Sequence, residues 1–223
     1  MIDQLRSAVP HEEFDYQILI HALREYASPR DHATRLLEQG AIIRVKKGLY
    51  VFGPTFRRSP YSRELLANLI SGPSYVSLEY ALGFHGLIPE RATTVTSVTA
   101  GKRRVFSTPM GQFSYWPVPS TVFCIGISRM TTSDGRAFLI ATREKALCDT
   151  LVHARSIHAR STRQLEAVLA DDLRVDLDEL ASFDTAVIAE LARSWPSRRL
   201  ALLVDVVDRL AGALRRQEGT TRE

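Results

Sequence analysis

The chain has 223 residues, of which 45% are hydrophobic and 24% are charged, so its composition is that of a folded globular protein with room for two small domains. This composition excludes a disordered, collagen-like or coiled-coil protein. The sequence contains no run of about 18 apolar residues and no apolar segment of a signal peptide near its start, so we expect a cytoplasmic protein without membrane contact. The net charge of +4 permits binding to nucleic acid.

Residues that could carry chemistry are few. Cys124 and Cys148 lie among apolar residues, so we expect two buried thiols and neither a disulfide framework nor a structural zinc site. The histidines form no metal-binding pair and no glycine-rich phosphate loop is present, so we expect no catalytic site, metal or cofactor. An enzyme remains an alternative that would need Glu144 or Asp149. We expect the first in the opening turn of a helix and the second on a helix surface.

The N-terminal segment shows two helices followed by a hairpin. Apolar residues at helical spacing predict a helix over residues 15–26, begun by Asp15. Ser28 and Pro29 are typical of the start of a second helix, and Gly40 is placed to end it. Residues 41–53 are β-branched and aromatic on both sides of a Lys-Lys-Gly turn, which indicates a short hairpin.

These parts, in this order, predict a winged helix-turn-helix over residues 1–53. In that geometry the second helix enters the major groove of DNA and the hairpin, or wing, lies along the phosphates. The outward side chains of the second helix suit base edges, and the basic wing and the basic segment after it suit phosphates. The candidate DNA-binding residues are Arg30, His32, Thr34, Arg35, Gln39, Arg44, Lys46, Lys47, Arg57 and Arg58.

Charge is unevenly distributed along the chain. Residues 28–63 carry eight basic and two acidic residues, a local net charge of +6. Residues 166–190 carry eight acidic residues and one basic residue, a local net charge of −7. The first stretch attracts phosphates and the second repels them. We expect the acidic stretch to be a solvated face.

Residues 54–60 break the pattern and predict a linker before a larger domain over residues 61–223. We expect an α+β domain in which a mixed sheet of mainly antiparallel pairing is flanked by helices and the chain is helical from about residue 160. An amphipathic helix over 198–216 should pack back on this domain. Helices are predicted over 61–70 and 77–86 and from Thr142, and strands over 93–99, 104–107, 112–117, 122–127 and 137–140.

Seven strings between residues 14 and 155 carry a family resemblance: GLYVFG (48–53), YVSLEYALGFHGLIPE (75–90), TVTSVT (94–99), RRVF (103–106), GQFSYWPVP (111–119), FCIGI (123–127) and FLIATREKALCDTL (138–151). The most specific runs are SLEYALGFHGLI, TVTSVT and IATREKALCDTL. With these strings, residues 14–155 resemble the AbiEi family, whose members are transcriptional regulators and antitoxins of type IV toxin-antitoxin systems.

The resemblance implies a winged-helix domain that binds double-stranded DNA at inverted repeats in the protein's own promoter and represses that promoter. It also implies a C-terminal domain that counteracts a nucleotidyltransferase-like toxin without requiring a stable complex. The DNA contacts would come from the outward residues of helix 28–39 and from the wing lysines. A protein-interaction module and a solitary regulator without a toxin partner are the alternatives, and a preformed dimer and cooperative monomers on DNA both fit the sequence.

Overall fold

The computed structural model describes residues 2–132, 134–154 and 156–220, with only the backbone for 217–220. The fold is mixed α+β, with a three-stranded and a six-stranded sheet and two hydrophobic cores. This confirms the predicted α+β class, whereas the winged-helix assignment stays a prediction. In the described part of the chain, no helix has the length and apolar character needed to cross a bilayer.

The N-terminal unit contains three helices and a three-stranded antiparallel sheet in the order β1-β3-β2. Its small core includes Leu19, Leu36 and Phe52, each at most 1% exposed. The elements are α1 (Ile2–Ala8), β1 (Glu13–Asp15), α2 (Tyr16–Ala22), α3 (Pro29–Glu38), β2 (Ile42–Lys46) and β3 (Leu49–Phe52).

Local sequence signals set the ends of these helices. The Asp15 carboxylate accepts a hydrogen bond from the Ile18 N–H at 2.8 Å and so caps α2 as predicted. Gly40 follows α3 with a φ of +65°, a conformation that glycine adopts without strain. The prediction of a helix over 15–26 was too long, because α2 ends at Ala22 and the chain then turns, which leaves Tyr26 to pack against α3.

Strand β3 of the β2–β3 hairpin is buried on both faces. Tyr50 and Phe52 point into the small core, whereas Leu49 and Val51 point into the large core of the second domain. Alternate residues of a strand face opposite sides of a sheet, so this strand serves both cores. The N-terminal unit is therefore packed directly against the second domain.

Two adjacent glutamates, Glu12 and Glu13, connect the N-terminal unit to the segment that follows it and to the second domain. Glu12 is 1% exposed, pairs with Arg6 at 2.6 Å and accepts hydrogen bonds from the Arg58 and Ser59 N–H groups, both at 3.1 Å. Glu13 pairs with Arg136 from the second domain. Residues 54–62 thus form neither helix nor strand but are tied to the N-terminal unit by buried charge-assisted hydrogen bonds.

The second domain is built on a six-stranded sheet in the order β6-β7-β5-β4-β9-β8. The β4–β9 and β5–β7 pairs are parallel and the other three pairs are antiparallel, so the sheet is mixed. Its elements are α4 (Arg63–Ile70), β4 (Ser74–Val76), α5 (Leu78–Phe84), β5 (Val95–Thr99), β6 (Arg104–Thr108), β7 (Gly111–Pro117), α6 (Ser120–Phe123), β8 (Ile127–Thr131), β9 (Ala137–Ala141) and α7 (Arg143–His153).

The C-terminal part is helical, as predicted. It contains α8 (Thr162–Ala167), which continues into a π-helical turn over 168–172, and then α9 (Leu177–Leu180), α10 (Thr185–Ser194) and α11 (Arg198–Thr220). Leu200, Leu203 and Val207 of α11 are fully buried in the large core. The predicted amphipathic helix therefore packs back on the second domain.

Two predictions for the segment around residues 122–127 were wrong. Residues 122–126 are not a strand, because α6 runs through Phe123 and Gly126 then turns the chain with a φ of +68°, so that strand β8 begins only at Ile127. The same turn leaves Cys124 exposed, whereas Cys148 on α7 is buried as predicted and burial raises the pKa of its thiol.

Candidate nucleic-acid interface

Helix α3 presents a polar face to solvent. Arg30, Thr34, Arg35 and Gln39 are exposed, as the helical spacing predicts, while the apolar stripe of the same helix lies in the small core. The Thr34 hydroxyl donates to the Arg30 carbonyl at 3.1 Å, so its oxygen lies close to the helix backbone. Among the described residues, the side chains of the two arginines and the glutamine have no hydrogen-bond or ion-pair partner.

His32 is the exception on α3. It is half-buried, and its ring lies 4.3 Å from that of Tyr26, measured between centroids. Its Nδ1 atom is buried without a hydrogen-bond partner among the described residues. His32 thus contributes to the packing between α3 and the preceding turn, and it is less accessible than its four neighbours on the helix.

The two lysines of the hairpin turn have different surroundings. Lys47 is exposed, as is Arg44 on β2. The Lys46 ammonium group instead donates a hydrogen bond to the backbone carbonyl of Ile70, at the end of α4. Lys46 therefore joins the hairpin to the second domain, and only its neighbour projects freely.

Arg57 and Arg58 lie in the irregular segment that follows the hairpin, and both are exposed. The Arg57 guanidinium lies over the ring of Tyr61 at 5.3 Å from its centroid. Arg58 is held through its backbone N–H by Glu12, which leaves its guanidinium group free to project. Both side chains are thus presented from a fixed stretch of backbone.

The exposed cations over residues 28–63 share one electrostatic property. Among the residues that the structure describes, none of them has an ion-pair partner. We refer to them as the unpaired cations, and they are Arg30, Arg35, Arg44, Lys47, Arg57 and Arg58.

A buried polar cluster in the second domain was missed at the sequence level. Asp149 was predicted to lie on a helix surface, but it is fully buried. Its Oδ1 atom lies 3.0 Å from the Lys145 ammonium. Its Oδ2 atom accepts from Ser77 at 2.7 Å and from Tyr75 at 3.1 Å. Burial raises the pKa of Asp149, and Lys145 acts in the opposite direction. The spacing of Lys145 and Asp149 on an otherwise apolar helix face is the sequence signal that could have revealed the pair.

Glu144, the other carboxylate of the enzyme alternative, is also buried. It lies in the first turn of α7, as predicted, and its Oε1 atom accepts from the Asp184 N–H at 3.2 Å. Both carboxylates therefore have structural partners. Across the described ranges, no group of three His, Cys, Asp or Glu side chains could hold a metal ion.

A scan against protein-family models and a search of curated proteins both gave no match to this chain.

Proposed function

We propose that the N-terminal unit is a winged helix-turn-helix that binds double-stranded DNA. The order of its elements supports this reading, since α2 and α3 are followed by the β2–β3 hairpin and β1 completes the sheet. An exposed polar face on α3 is what a recognition helix needs to reach base edges in the major groove.

The observation that carries the proposal is the set of unpaired cations. A fold that needed these charges for its own stability would pair or bury them, as it does with Arg6 and Arg136. DNA supplies the missing anions, because each phosphate contact releases a bound counterion and favours binding.

The surroundings of each side chain suggest its role. Arg30, Arg35 and Gln39 are long, exposed and able to make hydrogen bonds to base edges, and Thr34 is a shorter polar contact. We assign the phosphate contacts to the remaining unpaired cations, which are Arg44, Lys47, Arg57 and Arg58. Lys46 and His32 have internal partners, so we give both a positioning role within the unit.

We further propose that the protein is an autorepressor and antitoxin that opposes a nucleotidyltransferase-like toxin. The resemblance to the AbiEi family supports this part, and the DNA-binding part does not depend on it. If the basic surface binds no DNA, a protein-interaction module becomes the better reading of the same surface.

The test is a fluorescence-anisotropy titration of the full chain with a duplex from upstream of its own gene and with a shuffled duplex. We expect tighter binding to the first duplex and a steep loss of affinity with salt, with a log-log slope of about 0.9 per phosphate contact. Equal and salt-independent binding of the two duplexes, or no binding at low salt, would contradict the proposal.

A matched pair of variants then separates the recognition helix from general charge. Arg35→Gln should lose roughly 1–3 kcal/mol of binding free energy on the specific duplex and less on the shuffled one. Arg104→Gln removes an exposed arginine from β6, in the second domain, and should leave both affinities unchanged. An equal loss on both duplexes for Arg35→Gln would reassign that residue to phosphate contact.

A further inference from the structure

A pocket of about 340 Å³ opens on the second domain. It lies where the start of α4, the end of α5 and the segment before β5 meet. This volume is within the range of about 300–1,000 Å³ that is usual for small-molecule sites. The pocket is lined by Arg63, Tyr80, Gly83, Phe84, Arg91 and Ala92.

The backbone around Gly83 brings the pocket's two arginines to one cavity. A Cβ atom at Gly83 would lie only 2.6 Å from the Glu90 carbonyl oxygen, so only glycine allows the returning chain to come this close to α5. The next residue along that chain is Arg91. On the opposite side, the Arg63 guanidinium is fixed by a hydrogen bond to the Thr93 carbonyl.

The charge in this pocket is not compensated by the protein. Neither Arg63 nor Arg91 has an ion-pair partner in the described chain. The neighbouring carboxylates have other partners, since Glu64 accepts from Tyr80 at 2.6 Å and from Ser62 at 2.8 Å and Glu90 pairs with Arg174. Two guanidinium groups without counterions favour an anionic ligand.

The pocket also offers an apolar surface. Phe84 is 42% exposed, although the preceding helix residues Ala81 and Leu82 are fully buried. Its ring meets that of Phe138 edge-on, with centroids 6.0 Å apart and planes at 86°. This contact holds Phe84 in place, and an exposed aromatic ring at the rim of a pocket is a surface on which a flat apolar group can stack.

We propose that this pocket binds a small anion that carries a flat apolar ring, with the two arginines on the anionic group and Phe84 on the ring. The phosphate and carboxylate forms of such a ligand share this chemistry. The site lies on the second domain and its occupancy can be measured without DNA, so the proposal does not rest on DNA binding.

The experiment is isothermal titration calorimetry of the full chain with four probes: phenyl phosphate, benzoate, inorganic phosphate and benzyl alcohol. We expect phenyl phosphate or benzoate to bind at least about tenfold more tightly than either probe that lacks the ring or the charge. The stronger of these two then identifies the anionic group as phosphate or carboxylate. Absence of binding by both, or equal binding of inorganic phosphate, would overturn the proposal.

Two variants locate the bound probe. Arg91→Gln and Phe84→Ala change exposed side chains and should each weaken the better probe at least about fivefold. Arg104→Gln and Val105→Ala make matched changes at exposed positions on β6, outside the pocket, and should leave its affinity unchanged. Thermal denaturation confirms that each variant is folded. Unchanged probe binding in both pocket variants would overturn the proposal.

Discussion

The basic stretch over 28–63 and the acidic stretch over 166–190 carry net charges of +6 and −7, but these charges have different uses in the structure. In the acidic stretch, Asp176 and Asp184 cap helices by accepting from backbone N–H groups, each at 2.9 Å. Glu166 and Glu179 pair with arginines of other helices. In the basic stretch, no side chain forms an ion pair with another described residue.

This difference shows which charges need an explanation outside the fold. Caps and ion pairs give half of the acidic residues a role in stabilising helices and their packing. The unpaired cations contribute no comparable contact, and together they repel one another. We propose that a binding partner with negative charge accounts for their presence, and DNA is the partner that the proposed function assigns to them.

The largest expected effect comes from removing several unpaired cations together. The triple variant Arg30→Gln, Arg35→Gln and Lys47→Gln should lower the affinity for the protein's own upstream DNA by on the order of 100-fold and lower the salt slope. Its melting temperature should stay the same or rise, because no internal ion pair is lost. Anisotropy titrations at several salt concentrations and thermal denaturation measure the two quantities. If the triple variant loses stability while its folded fraction keeps full DNA affinity, these cations stabilise the fold and do not bind DNA.

A smaller effect is expected in the acidic stretch, and it should affect stability alone. Asp184→Ala removes the cap of α10 and should lower the free energy of unfolding by about 1 kcal/mol, because an N–H at the helix start loses its acceptor. Glu190→Ala, on the same helix and exposed, should change it by less than about 0.5 kcal/mol. Urea denaturation compares the two variants. Equal stability of the two, or weakened DNA binding by Asp184→Ala, would contradict the structural role of this acid.

Features that depend on neighbouring residues could be predicted from the sequence, and features that depend on distant contacts could not. Asp15 as a cap and Gly40 as the end of α3 follow from hydrogen bonds and backbone conformations within a few residues. The exposed side of α3 follows from helical spacing. In contrast, β4 was not among the predicted strands, because it is only three residues long and is a strand through its pairing with β5 and β9.

The same distinction applies to the candidate sites. The sequence pattern predicted five outward side chains on the second helix, of which four are exposed. It could not show that Tyr26 partly covers His32, the fifth, or that Lys46 reaches Ile70, 24 residues later. The pocket of Arg63 and Arg91 also had no sequence signal, since its two arginines are far apart in the chain and are brought together by the close approach at Gly83.

The smallest expected effects distinguish the two adjacent lysines of the hairpin. Lys47→Gln should weaken binding to all DNA sequences alike by roughly two- to fivefold and lower the salt slope by about 0.9, because one phosphate contact is lost. Lys46→Gln should leave DNA affinity unchanged and lower the free energy of unfolding by about 0.5 kcal/mol, because the hydrogen bond to Ile70 is lost. Titrations with two unrelated duplexes and urea denaturation measure both quantities in each variant. If the two substitutions weaken DNA binding equally, Lys46 leaves Ile70 to contact phosphate, and the hairpin is then less firmly tied to the second domain than its buried faces imply.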